Sequence, residues 1–96
     1  MRILWTEAAS ADLDSIAAYI VKDSPGASIR LILLIIDNVE KILPANPAAG
    51  RPGRVPGTRE LVIPGTDYIV AYRVKNMHIQ ILRVLHGARK WPSQFR

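Results

Sequence analysis

Three runs of alternating residues lie between residues 59 and 86, in the stretch RELVIPGTDYIVAYRVKNMHIQILRVLH. Because successive side chains of a strand point to opposite faces of a sheet, a period of two predicts strands. Pro64–Asp67 and Lys75–Met77 separate the runs and have the composition of turns. We therefore expect an antiparallel sheet of three strands, which cover Arg59–Ile63, Tyr68–Val74 and His78–His86.

Strict alternation also predicts which side chains share a face of this sheet. The second run is expected to present Tyr68, Val70, Tyr72 and Val74 on one face. The third run is expected to present Gln80, Leu82, Val84 and His86 on one face, and Ile79, Ile81, Arg83 and Leu85 on the other.

The first half of the chain has the signals of a short strand followed by two helices. Arg2–Trp5 is an apolar run of strand length, and Thr6 is a typical helix N-cap. A helix to about Lys22 follows, because its apolar residues recur at steps of three and four. Ser24-Pro25-Gly26 interrupts this pattern, and a second helix is expected from about Ala27 to Leu43.

The order strand–helix–helix–strand–strand–strand predicts the α+β class, with a two-helix hairpin packed on the antiparallel sheet. Residues 45–58 are rich in proline and glycine, so we expect a long irregular connection there. A chain of 96 residues is expected to form one domain, covering residues 1–96.

Composition argues against several classes of protein. The chain has no cysteine and two histidines, which disfavours a disulfide scaffold, a cysteine nucleophile and a zinc site. We expect neither a metal nor another cofactor. The longest apolar run, Leu31–Ile36, is far shorter than the roughly 20 residues that cross a membrane. The N-terminus lacks the pattern of a secretory signal, so we expect a cytoplasmic protein without a membrane partner.

The net charge of +5 is unevenly distributed along the chain. Residues 1–50 carry −2 and residues 51–96 carry +7, and most basic residues of the second half are arginines. Arginine suits bidentate recognition of phosphate or carboxylate, so one interpretation is a polyanionic partner, either nucleic acid or an acidic protein. The other interpretation is a charged surface that keeps a small protein in solution.

The second helix is apolar on every side between Leu31 and Ile36, which is unusual for a helix with one solvated face. A helix that packs on a sheet buries only one face, so we expect a partner to cover the other. Ile32, Ile35 and Ile36 are the candidate residues for this contact. The alternative is that the domain itself encloses the helix on both sides.

Basic and aromatic residues gather around the end of the last predicted strand. His86 can transfer a proton near neutral pH, and Arg83 and Arg89 can hold a phosphate, which together would suit a ribonuclease. Alternatively, His86 bonds a carbonyl group, Trp91 packs over the sheet edge, and the region only binds a partner. The candidate target-binding residues are Arg51, Arg54, Arg59, Arg83, Arg89, Lys90 and Trp91.

The acidic residues offer no pair suited to hydrolysis. Asp12 and Asp14 lie two residues apart on the first helix and therefore do not face each other. We interpret them as part of a solvated helix face, which makes a hydrolase with paired carboxylates a poor explanation.

Several stretches together resemble toxins of the RelE/ParE superfamily. They are Trp5–Ala9 (WTEAA), Asp12–Ile20 (DLDSIAAYI), Gly50–Leu61 (GRPGRVPGTREL), Tyr68–Val74 (YIVAYRV) and Ile79–Pro92 (IQILRVLHGARKWP). The likeness covers nearly the whole chain and agrees in the order of elements. It implies a toxin of a bacterial type II toxin–antitoxin pair, whose antitoxin partner contains a segment that folds on binding.

Within the superfamily, the resemblance is closer to ParE than to RelE. ParE-like members are associated with DNA gyrase and blocked replication, whereas RelE-like members cut messenger RNA, commonly on the ribosome. Where RelE-type members tend to carry basic residues, this chain has Glu60, Val62 and Ile69, and no tyrosine follows Tyr72. The resemblance thus implies a non-enzymatic gyrase inhibitor. The alternatives are an mRNA endoribonuclease that uses His86, and a basic nucleic-acid-binding module without toxicity.

Overall fold

The computed structural model describes residues 1–95 and confirms the predicted α+β class. The helices begin and end within two residues of the expected bounds. The connection that was expected to be irregular contains an additional strand of two residues. The elements run in the order β1 (Arg2–Trp5), α1 (Glu7–Val21), α2 (Pro25–Ile42), β2 (Arg51–Pro52), β3 (Arg59–Val62), β4 (Tyr68–Lys75) and β5 (His78–His86).

All five strands form one sheet with the order β1-β5-β4-β3-β2. β1 runs parallel to β5, and every other pair of neighbours is antiparallel. β1 pairs with β5 from Arg2↔His78 to Trp5↔Ile81 and ends there. No strand within residues 1–95 pairs with β5 beyond Ile81 on this side, so residues 82–86 form an open sheet edge.

Hydroxyl side chains cap both helices. The Thr6 hydroxyl accepts a hydrogen bond from the Ala9 N–H and donates one to the Ile81 carbonyl, which ties the start of α1 to β5. Ser24 accepts from the Ala27 N–H, and Pro25 takes the first helical position, where its missing N–H leaves no bond unmade. The Ser-Pro-Gly break therefore starts α2 two residues earlier than expected.

The hydrophobic core lies between the two helices and one face of the sheet. The buried apolar residues include Ile35 and Val39 of α2, and Ile79 and Ile81 of β5. A β-bulge lies in the β4–β5 ladder, where the pairing moves from Ala71↔Arg83 to Tyr72↔Ile81. The core side chains of the sheet are Leu61, Ile63, Val70, Tyr72, Ile79, Ile81 and Val84.

The bulge corrects the predicted faces of β5. An extra residue in one strand reverses the alternation of the residues that follow it. Val84 therefore joins Ile79 and Ile81 in the core, although strict alternation placed it on the opposite face. Alternation correctly groups Tyr68, Val70 and Tyr72 on the core side of β4, whereas Val74 beyond them is 44% exposed.

Tyr72 anchors the long connection between α2 and β3. Its buried hydroxyl donates to the Pro47 carbonyl at 2.7 Å and accepts from the Gly50 N–H at 2.8 Å. Burial raises the pKa of Tyr72 above its ordinary 10.0. A Cβ on Gly50 would lie 2.6 Å from the Tyr72 ring, so only glycine lets the connection pass this close.

Candidate functional site

Arg83, a candidate for phosphate binding, makes an ion pair that crosses from the sheet to α1. Its Nε and Nη2 donate to the two carboxylate oxygens of Asp12 at 2.7 and 2.9 Å. The Val84 N–H at the open edge of β5 donates to the same carboxylate at 2.8 Å. The hydrogen bonds from Arg83 to Asp12 raise the pKa of Arg83 and outweigh its desolvation. The interpretation of Asp12 as a solvated residue is therefore wrong.

Arg51 and Arg54 converge on Glu60, whose side chain is 2% exposed. Glu60 accepts three hydrogen bonds from the Arg54 backbone and guanidinium, at 2.7, 3.1 and 3.3 Å. It accepts two more from the Arg51 guanidinium, at 3.0 and 3.3 Å. Desolvation would raise the pKa of Glu60, but these bonds outweigh it, and the pKa lies below its ordinary 4.5.

Arg59 has a structural role in the fold. It is half-buried in β3, and its Nη1 donates to the Gly50 carbonyl at 2.8 Å. Gly50 is also bound by Tyr72, so Arg59 helps to hold the connection between α2 and β3. The guanidinium that was expected to bind a target therefore has a structural partner in the Gly50 carbonyl.

His86 lies at the end of β5 with both ring nitrogens near other groups. Nδ1 accepts a hydrogen bond from the Ala88 N–H at 3.1 Å, which places the proton of the neutral ring on Nε2. Nε2 lies 3.6 Å from a carboxylate oxygen of Asp67, and the ring packs edge-on against Tyr68. The ring is thus held in one orientation by contacts on three sides.

Two shallow grooves flank the end of β5. The first has a volume of about 680 Å³, and Arg83, His86 and Arg89 all contribute to its lining. The fold therefore brings the three candidate nuclease residues to one place. The second groove, of about 600 Å³, is lined by Arg83, Leu85, Arg89, Lys90, Trp91 and Pro92.

The C-terminal segment, residues 87–95, contacts Arg54 of the connection between α2 and β3 through Trp91. The Arg54 guanidinium carbon lies 3.9 Å from the centre of the Trp91 ring, and the Trp91 indole N–H donates to the His86 carbonyl. Arg89 and Lys90, which lie between His86 and Trp91 in the sequence, are exposed. We call the resulting surface the basic end; it comprises Arg51, Arg54, Arg89, Lys90 and Trp91.

The structure corrects one of the expected partner-binding residues on α2. Ile35 is 0% exposed in the core, so the expectation that it faces a partner is wrong. Ile32 packs against the core and Ile36 is half-buried. The most exposed apolar side chains of α2 are Ile29 and Leu33, at 62% and 59%. They lie four residues apart and form what we call the α2 stripe.

No helix within residues 1–95 combines the length and the hydropathy that a membrane crossing requires. The charged residues of α2 lie on the same side as the stripe, and all four are exposed: Arg30, Asp37, Glu40 and Lys41. An apolar stripe beside charges is typical of a surface that meets another protein.

Comparison with known proteins identifies the family. A family model described as the ParE toxin of the type II toxin–antitoxin system, parDE, matches residues 3–91. Y4kP of Sinorhizobium fredii, a protein named as a toxin, is 45% identical over 92 residues, which make up 96% of this chain and 94% of Y4kP. The chain therefore belongs to the ParE toxin family of type II toxin–antitoxin systems, and the predicted RelE/ParE membership is confirmed.

Similarity extends to both branches of the superfamily. Toxin RelE2 of Caulobacter vibrioides is 32% identical over 88 residues, covering 92% of this chain and 97% of that protein. The solved chromosomal ParDE system of P. aeruginosa is 37% identical with a TM-score of 0.78, over 90% of this chain and 95% of the matched one. The RelBE2 complex of Mycobacterium tuberculosis is 27% identical with a TM-score of 0.65, over 88% and 95%. Identity and TM-score are both higher for the ParDE structure.

Proposed function

We propose that this chain acts as a single toxin domain over residues 1–96, and that it inhibits DNA gyrase and blocks replication until a cognate antitoxin binds. The observation that carries the proposal is the pairing of Arg83. Its guanidinium is bound by both oxygens of Asp12, so its charge is neutralised and two of its five N–H donors are engaged. A phosphate-cleaving site needs such a cation free to stabilise developing charge. Membership of the ParE toxin family supports the same target.

The basic end is the surface that we assign to gyrase. Four of its residues are cationic, and one carboxylate, Glu60, lies within hydrogen-bond distance of two of them. The net charge of this cluster is therefore positive. A cationic patch of this kind speeds the encounter with an acidic or nucleic-acid-bound partner and raises its affinity.

A supercoiling assay with purified gyrase tests the proposal. We expect the wild-type chain to inhibit supercoiling, and we expect an Arg89→Glu/Lys90→Glu variant to lose inhibition because two cations become anions. The matched control is Arg2→Glu/Lys22→Glu, which makes the same change of charge far along the sequence from the basic end. Supercoiling that continues at concentrations that kill cells would reject gyrase as the target.

The antitoxin is proposed to cover the α2 stripe. Ile29 and Leu33 are apolar and exposed, and the similar P. aeruginosa structure is a toxin–antitoxin system. Leu33→Asp should weaken antitoxin binding at least about tenfold, because the new carboxylate would lose its water in the interface. Val74→Asp is the control, since Val74 is exposed to a comparable degree on the sheet. Equal affinities for the two variants would place the antitoxin elsewhere.

An mRNA endoribonuclease is the second candidate function. The observation that favours it is that Arg83, His86 and Arg89 line one groove. This activity predicts rapid loss of translated messages after induction, and intact messages when His86→Ala is induced instead. Cells that stop DNA synthesis first and keep their messages would reject the endoribonuclease and support gyrase inhibition.

A further inference from the structure

The Arg54 side chain contacts the C-terminal segment at two points. Its guanidinium stacks on Trp91, with 3.9 Å between the guanidinium carbon and the ring centre. Its Nη1 also donates a long hydrogen bond of 3.5 Å to the Gly87 carbonyl. Trp91 in turn donates to the His86 carbonyl at 3.2 Å. The segment is therefore held at both of its anchor points, Gly87 and Trp91, by contacts that include one arginine side chain.

Glu60 fixes Arg54. One carboxylate oxygen accepts from the Arg54 backbone N–H and Nε, and the other accepts from Nη2. The Glu60 side chain is 2% exposed, whereas that of Arg54 is 40% exposed. Hydrogen bonds to a buried carboxylate restrict the rotation of a guanidinium that solvent could otherwise reach from one side. Among the described residues, no hydrogen bond joins Glu60 directly to the C-terminal segment.

The two exposed cations of the segment, Arg89 and Lys90, lie between the anchor points. Neither makes an ion pair within residues 1–95. Both line the groove of about 600 Å³ beside Trp91. The backbone already ties this turn to the sheet, since the Gly87 N–H donates to the Asp67 carbonyl at 2.7 Å and the Arg89 N–H donates to the His86 carbonyl at 3.1 Å. The contacts of Arg54 with Trp91 and Gly87 add a side-chain anchor for the part of the segment that carries Arg89 and Lys90.

We propose that Glu60 is a positioning residue for target binding: it holds Arg54 against Trp91 and thereby sets the orientation of Arg89 and Lys90. The proposal rests on the assignment of the basic end to the target. Glu60 lies under Arg54 and does not touch the target itself. Its removal therefore changes target binding by releasing the C-terminal segment.

The first experiment measures the release of Trp91 directly. The chain has two tryptophans, so Trp5→Phe leaves Trp91 as the single indole fluorophore. In this background we expect Glu60→Gln to raise acrylamide quenching of Trp91 toward the value of the urea-unfolded chain. Asp37→Asn makes the same chemical change at an exposed carboxylate and should leave quenching unchanged. Quenching that stays low in Glu60→Gln overturns the proposal.

A pair of arginine variants shows whether Glu60 acts through Arg54. Arg54→Lys keeps the charge but loses the stacked, forked guanidinium, and should expose Trp91 as Glu60→Gln does. Arg51→Lys also loses two hydrogen bonds to one Glu60 oxygen, yet Arg51 makes no contact with Trp91 among the described aromatic and hydrogen-bond contacts. Arg51→Lys should therefore leave Trp91 protected. Equal exposure in both variants would overturn the route through Arg54.

The second experiment measures function in cells that lack the antitoxin. We expect Glu60→Gln and Arg54→Lys to weaken killing about tenfold at equal protein levels, because a charge-assisted anchor is lost. Glu60→Gln also removes a negative charge from a cationic surface, which by itself would strengthen binding to an anionic target. A loss of killing therefore indicates positioning and not simple charge. Circular dichroism at the temperature of the assay confirms that each variant is folded.

The outcomes separate this proposal from the proposed target. A folded Glu60→Gln variant with an exposed Trp91 and full killing would overturn the positioning role. A wild-type chain that kills cells without inhibiting gyrase would overturn gyrase as the target. In that case the difference in killing between the variants would still show whether Glu60 has a positioning role. The same weakening of killing in Asp37→Asn would overturn the specific role of Glu60.

Discussion

Two carboxylates, Asp12 on α1 and Glu60 on β3, each organise arginine side chains, and they do so with different balances of charge. Asp12 binds one arginine and one backbone N–H, and its side chain is 14% exposed. Glu60 binds two arginines and one backbone N–H, and its side chain is 2% exposed. The first cluster is neutral, whereas the second keeps one net positive charge.

This difference separates a structural cluster from a candidate binding cluster. The Asp12 carboxylate accepts from the Val84 N–H at the open edge of β5, and it neutralises the charge of Arg83 through two hydrogen bonds. The Glu60 cluster orders its two arginines and still presents a cationic surface to solvent. Ordered, partly exposed arginines lose less side-chain entropy on binding, which favours a partner at this end.

The largest effect is expected for Glu60→Ala. It leaves two guanidinium groups and the Arg54 N–H without their buried acceptor, so we expect a loss of about 2 to 3 kcal/mol in the free energy of unfolding. The estimate lies at the low end for a broken buried pair because both arginines still contact water. Urea denaturation followed by circular dichroism measures it. A loss as small as that of an exposed pair would show that water already solvates this cluster.

A smaller effect is expected for Asp12→Ala. The variant removes one bidentate ion pair and the acceptor of the Val84 N–H, and we expect a loss of about 1.5 kcal/mol. Arg83 is 31% exposed and can turn toward water, which limits the penalty. The same denaturation experiment on Arg83→Met, and on the double variant, gives the coupling between the two residues. No coupling would mean that the pair seen here adds nothing to stability.

Much of the fold follows from the sequence because its patterns are local. The period of two in residues 59–86, the Thr6 cap and the Ser24-Pro25 start of α2 are each decided within a few residues. The bulge opposite Ala71/Tyr72 is decided by the match between two strands, so alternation within β5 could not reveal it. The face of Val84 was mispredicted for this reason.

The sequence does contain a signal for the inward direction of Ile35, in the charged residues that flank the apolar run. A helix turns about 100° per residue, so Ile35 lies roughly opposite Asp37 on the wheel, whereas Leu33 lies close to it. Charged Asp37 and Lys41 mark the solvated side and would have assigned Leu33 to solvent and Ile35 to the core. The apolar run of residues 31–36 by itself does not indicate which side of the helix faces the core.

The pairing of the arginines depends on tertiary contacts and was missed. Asp12 and Arg83 are 71 residues apart in sequence, and no local pattern joins them. The sequence holds a weak signal at Glu60, which is one of two acidic residues in the basic half and is followed directly by the apolar residues Leu61 and Val62. A lone carboxylate in such a place is seldom buried without a cationic partner.

Acidic pH should reduce the contribution of Glu60 to the free energy of unfolding. The pKa of Glu60 is lowered in the folded state from 4.5, so its contribution to stability is fully present above pH 4.5 and is lost as the pH falls through the folded-state pKa. Glu60→Gln cannot titrate, so the difference in unfolding free energy between wild type and variant should shrink in that range. Denaturation curves at neutral pH and at several values below 4.5 measure it. A difference that is independent of pH would contradict the lowered pKa.

The smallest effect is expected at Asp37, whose carboxylate provides the baseline for the other two. Asp37 pairs with Lys41 one helical turn away at 3.2 Å, and the two side chains are 56% and 75% exposed. Water solvates both charges before and after the pair is broken, so Asp37→Asn should change the free energy of unfolding by less than about 0.5 kcal/mol. The comparison uses the same urea curves as for Asp12 and Glu60. The expected order of losses, Glu60 above Asp12 above Asp37, follows the burial of the three carboxylates. A reversed order would mean that burial does not determine what these ion pairs contribute, and the division between a structural and a binding cluster would lose its energetic basis.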